Sequence, residues 1–127
     1  MYEQKDIDKL KLIVEKIELI EEIVQDFKAI SLALKDKKMG KPSITMHLIS
    51  MAEQFNRLKN DGAYEILSKF DQSDLKGSYD IRNFIAHDYE GVNLMIVEMV
   101  VREKLPKIKA VTLEILKENI DENTNCS

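Results

Sequence analysis

Between Ile7 and Leu34, apolar side chains recur at alternating steps of three and four: Leu10, Ile13, Ile17, Ile20, Val24, Phe27 and Leu34, with Ser31 filling one slot. A helix brings residues at that spacing onto one side, so the pattern predicts one long amphipathic helix over this stretch. Leu12, Leu19, Ile23 and Ile30 widen the stripe. A face so broad needs more than one neighbour: it is the spine of a bundle, or is shared between a bundle and a second copy of the chain.

Lys38-Met39-Gly40-Lys41-Pro42 then ends the helix, because glycine and proline both interrupt helical backbone. Ser43 is the expected cap of a second helix running to about Asn60, with Ile44, Leu48, Met51, Ala52, Phe55 and Leu58 facing inward, and Asp61-Gly62 closes it. Ala63, Ile66, Leu67 and Phe70 mark a short third helix. After the turn at Asp71-Gln72-Ser73-Asp74, Ser73 is expected to cap a fourth helix that ends near Glu90-Gly91. Asn93 caps the last element, whose period runs from Leu94 to Leu116, and Pro106 predicts a kink or a break within it. No stretch alternates like a strand. The expectation is therefore an all-α fold: an antiparallel up-and-down bundle of five to six helices in one domain at 1–120, with a disordered tail at 121–127.

Composition narrows the function. The one cysteine, Cys126, allows no disulfide within the chain and suits a reducing compartment. Met1 to Asp6 is too polar for a secretion signal, and the longest uncharged stretch, Pro42 to Ala52, falls far short of the ~20 apolar residues that span a bilayer. A soluble cytoplasmic protein with no membrane partner is expected. A net charge of −4 argues against coating nucleic acid by bulk attraction. The two basic stretches, Lys35, Lys37, Lys38 and Lys41, then Arg102, Lys104, Lys107 and Lys109, read as solvated surface. The two histidines, His47 and His87, stand far apart, so no metal-ligand cluster is expected, and no phosphate-cradling glycine loop or nucleophile elbow suggests a cofactor or an acyl enzyme.

The stretch with most chemistry is Arg82-Asn83-Phe84-Ile85-Ala86-His87-Asp88-Tyr89. On a helix of about 100° per residue with Arg82 at zero, Asn83 lies near ~100°, Ala86 near ~40°, His87 near ~140° and Tyr89 near ~−20°. Ile81, Phe84 and Ile85 fall on a separate side, expected to face the core. Small Ala86 within the polar arc leaves room for a ligand or a partner chain. An ordinary polar helix end is the plainer interpretation of the same residues.

Arg82, His87 and Tyr89 form R-x4-H-x-Y with Asn83 after the arginine, and Gly91-Val92-Asn93-Leu94 and Leu105-Pro106 follow. This resembles the HEPN superfamily and, within it, the HepT-like toxins encoded beside a minimal nucleotidyltransferase antitoxin. Where such chains often carry a Gly-Glu-Ala step in the second helix, this one reads Ser50-Met51-Ala52-Glu53, and it has no tryptophan before the motif. The resemblance implies a HEPN-like bundle working as a homodimer, with the motifs of both copies lining one cleft. It also implies a metal-independent ribonuclease acting as the toxin of a type II/VII-like toxin–antitoxin system. Tyr89 would then be the tyrosine that the nucleotidyltransferase AMPylates to silence the toxin.

The residue chemistry is compatible with this. Cleavage of RNA by its own 2′-hydroxyl needs a base partly neutral near pH 7, which histidine as a residue type provides with an ordinary pKa of about 6.5. Charge building on the phosphate suits an always-protonated arginine. The resemblance thus gives His87 the role of general acid/base, Arg82 that of phosphate ligand, and Asn83 a supporting role. A non-catalytic HEPN partner that binds a nucleotide or a nucleotidyltransferase is the main alternative, and a plain helical dimerisation protein is a third.

Overall fold

The computed structural model describes residues 2–125, with side chains through residue 120. Among the described residues seven α-helices follow one another: α1 (Gln4–Phe27), α2 (Ile30–Lys35), α3 (Gly40–Asn60), α4 (Tyr64–Leu67), α5 (Gln72–His87), α6 (Leu94–Met99) and α7 (Leu105–Asn125). A π-helical turn, Val100–Lys104, joins α6 to α7 without a break. There is no strand among the described residues, and the architecture is the expected all-α antiparallel bundle. Of the expected tail, 121–125 continue α7 as helical backbone, with side chains not described, while Cys126 and Ser127 lie outside the described residues.

The core is built on α1 and α3. Leu10, Ile13, Ile17 and Ile20 of α1 are fully buried against Ile44, Leu48, Met51, Phe55 and Leu58 of α3 and against α7. Every inner-face residue expected on the second helix is buried. Phe70 meets Phe55 edge to face with ring centroids 5.1 Å apart, which fixes the short α4 segment beneath α3.

The long first helix is instead two. It stops at Phe27, Lys28 adopts the left-handed conformation (φ 72°) and donates its N–H to the Gln25 carbonyl, and α2 starts after extended Ala29. The turn buries Ala33 and Leu34 while leaving Ser31, the polar slot in the apolar period, in solvent. A tight approach follows: a Cβ on Gly40 would overlap the Ala33 carbonyl oxygen, so only glycine lets α2 and the start of α3 meet.

Three helix ends also differ from expectation. At α3 the Asp36 carboxylate, not Ser43, accepts the N–H groups of Met39 (3.3 Å) and Gly40 (3.1 Å), so the helix starts at Gly40. Pro42 then sits in the first turn, where a missing N–H costs nothing. At α5 the cap is Asp71, whose side chain accepts from the Ser73 N–H at 2.8 Å. That carboxyl is held below its ordinary pKa by the Ser73 hydroxyl first and by backbone N–H groups after it. At its other end α5 stops at His87, three residues early, because the Asp88 carboxylate accepts the Gly91 N–H (3.0 Å) and folds the chain into a turn. Asn93 caps α6 as expected.

Pro106 does not interrupt the last rod, which passes from α6 through the π turn into α7 without a gap. Its ring would clash with a carbonyl one turn back, and the π turn just before it widens the backbone there, with the Leu105 N–H reaching the Val100 carbonyl.

Candidate functional site

Helix α5 carries the motif and is held along its length by α3. Near its start, the buried Asp74 carboxylate pairs with Lys104 at 3.2 Å and more loosely with Lys107 at 3.9 Å, tying the helix to the π turn. Ile81 and Ile85 are buried, as expected. Phe84 is not: it is 53% exposed, so the apolar side of this helix is narrower than residue type suggested.

Arg82 opens onto a groove between α3 and α5 of about 320 Å³, lined also by Ala52, Glu53, Asn56, Tyr79 and Asn83. Its guanidinium donates to the Asn83 amide oxygen (3.2 Å) and lies 3.8 Å from Glu53, leaving donors for a ligand. Asn83 thus touches the arginine, and no hydrogen bond joins it to His87 among the described residues. His87 faces the other way, onto an apolar hollow of about 220 Å³ lined by Ile81, Phe84, Val92 and Ile96. Between the two grooves, exposed Asn83 and Ala86 form an open ledge.

Tyr89 is not on the helix, so its place on the wheel beside Arg82 does not hold. It lies within the turn that Asp88 closes with Gly91, half-buried, with the Lys41 ammonium 4.5 Å from its ring centroid. Lys41 is only 7% exposed, and this corrects the reading of its basic stretch as wholly solvated. The second basic stretch is largely spent within the protein. Lys104 and Lys107 serve Asp74, Lys109 reaches Glu21 (2.8 Å) and Glu18 (3.8 Å), and Arg102 sits near Glu98 and Glu103.

Sequence reasoning missed Glu53, Lys41 and Tyr79. The first two come from α3 and meet the motif only in three dimensions. Tyr79 was within reach, since it lies three residues before Arg82 on the same side of α5. Burial raises its pKa, and its hydroxyl has no hydrogen-bond partner among the described residues. His47, on α3, is displaced downward, first by burial and then by Lys16.

No helix among the described residues is long and apolar enough to cross a membrane. No curated protein and no solved structure matches the chain. A family model does: "Ribonuclease HepT-like" matches residues 13–115, a span that takes in α3, α5, the Asp88 turn and the π turn. With well over half of its length matched, motif helix included, the chain belongs to the HepT-like ribonuclease family of the HEPN superfamily.

Proposed function

We propose that the chain is an RNA-cleaving toxin of the cytoplasm, with Arg82 and His87 at its reacting centre and Tyr89 as its point of control. The observation that carries this is the open ledge on α5, where a half-exposed arginine and an exposed histidine flank Asn83 and Ala86 within the matched span. A phosphate on the ledge would accept hydrogen bonds from Arg82, while His87 takes the proton from the adjacent ribose 2′-hydroxyl. The 2′-oxygen then bonds to phosphorus, the bond to the 5′-oxygen breaks, and a protonated imidazole supplies the proton that the leaving oxygen needs. Asn83 holds the guanidinium at the proper angle.

Pairing with a second copy fits the surface beside His87 better than it fits α1. The α1 stripe is largely consumed by the core, whereas Phe84 and Ile96 stand exposed around the His87 hollow. Covering them would bring two motifs together. Tyr89, immediately past the ledge, would accept AMP from a minimal nucleotidyltransferase antitoxin, and the added phosphate would compete with RNA for Arg82.

Replacing His87 with alanine should reduce cleavage of a single-stranded RNA by at least ~10²-fold with unchanged helicity; retained cleavage removes it from the mechanism. Tyr89→Phe should block transfer of labelled AMP by the nucleotidyltransferase. A second reading, a non-catalytic binding partner, draws on one feature: Arg82 and His87 open onto different grooves of one chain, and Glu53 already opposes the arginine. It predicts nucleotide binding without turnover.

A further inference from the structure

The groove at Arg82 does not end there. A second hollow of about 440 Å³ shares two of its walls, Lys59 and Tyr79, so the two form one trough along the α3–α5 seam. It runs from Arg82 back to Gln72 and Tyr64, about 15 Å along α5 at 1.5 Å per residue. We propose that this trough binds the single-stranded RNA that flanks the cleaved phosphate, with a base on Tyr64, another against Tyr79, and a backbone phosphate at Lys59. The inference rests on the nuclease reading and gives it a substrate track.

Four observations support RNA as the occupant. First, Tyr64 is 66% exposed at the start of α4, an aromatic face turned to solvent where nothing in the core holds it. Stacking on such a face is open to every base, because each base has a π surface. Second, Tyr79 is half-buried and lines both hollows, so its ring is a wall that runs on from one to the other. Third, Lys59 lies 5.9 Å from the Tyr79 ring centroid and has no carboxylate partner among the described residues, unlike Lys76, which Asp80 holds at 2.8 Å. Fourth, among the described residues no carboxylate lines the larger hollow. Aromatic, cation, aromatic and cation therefore alternate toward the ledge as Tyr64, Lys59, Tyr79 and Arg82. The stretch Arg102 to Lys109, richer in charge, offers no such track because its cations are paired internally.

The test uses a fluorescent twelve-nucleotide RNA of mixed sequence whose 2′-O-methyl riboses prevent cleavage, titrated with the full chain at low salt. Tyr64→Ala should weaken binding roughly 5- to 100-fold, and Tyr64→Phe, which keeps the ring, should restore it. Lys59→Ala should weaken binding and lower the slope of log affinity against log salt by about one. Lys11→Ala, on α1, should bind like the parent. If Tyr64→Ala and Lys59→Ala bind as tightly as a parent that cleaves RNA, the trough is refuted and the nuclease reading stands. If the parent neither binds nor cleaves RNA, both fall. If the two substitutions spare RNA binding but abolish AMP transfer by the nucleotidyltransferase, the trough is a protein-docking surface and the RNA assignment is overturned.

Discussion

The two ends of α5 are built to opposite rules. At the start, Asp71 caps the helix and Asp74, 2% exposed, is paired with Lys104 of the π turn and, more loosely, with Lys107 of α7. At the far end, Phe84, Ala86 and His87 stand in solvent, and the helix is stopped by a turn made from its own next side chain, Asp88. The first end invests its polar groups in holding the bundle together. The second leaves them available to something outside it, which is the arrangement expected where a rigid element presents reactive groups.

The sharpest way to break this contrast is Asp74→Ala. It should lower stability by about 2 kcal/mol, less than a fully buried pair because Lys104 and Lys107 reach water, and should shift the thermal midpoint down by roughly 4–10 °C while RNA cleavage at low temperature persists. Gly91→Ala attacks the other end. A Cβ there would overlap the Asp88 carboxylate, so that side chain must swing aside and its bond to the Gly91 N–H is weakened. The cost should be near 1 kcal/mol, with a larger loss in AMP acceptance at Tyr89 than in stability. Glu53→Gln sharpens the contrast instead: removing the carboxylate 3.8 Å from Arg82 should raise RNA affinity about two- to fivefold, measured by the same titration.

The smallest effect concerns pH. Because Asp71 has a folded pKa below its unfolded value, its contribution is fully present above the unfolded value near pH 4 and is lost as pH falls through the lower folded one. The gap in thermal midpoint between the parent and Asp71→Ala should therefore be constant at neutral pH and close below about pH 4. A gap that persists into strong acid would show that the cap acts without its charge.

Much of the fold was legible because burial follows helical period: the inner face of α3 could be read residue by residue, down to Leu58, and α1 buries Leu10, Ile13, Ile17 and Ile20 as expected, while Leu12 of the wider stripe is exposed and Val14, outside it, is buried. What period cannot show is where a helix turns without glycine or proline. Lys28 carries no such mark, and only polar Ser31 hinted that the stripe changes direction. The early end of α5 was hidden for a related reason. Gly91 is a sound stop signal, but Asp88 acts first by bonding forward to it. Within the site, Arg82, Asn83 and His87 are adjacent in sequence and carry a recognisable string. Glu53 and Lys41 are brought to the motif only by packing, and Phe84 looked like core because its type, not its surroundings, was all the sequence offered.

The π turn before Pro106 has a consequence of its own. One extra residue in a helical turn advances every later side chain by about 100°. The single rod from Leu94 to Asn125 therefore changes gear at Val100–Lys104: ahead of the π turn the rod meshes with α2, the turn itself meets α5, and behind it the rod meshes with α1. Deleting one residue from that turn would leave a regular helix in place of a π turn, yet Ile108, Thr112 and Ile115, all buried, would rotate away from the core while the composition of the chain stayed almost the same.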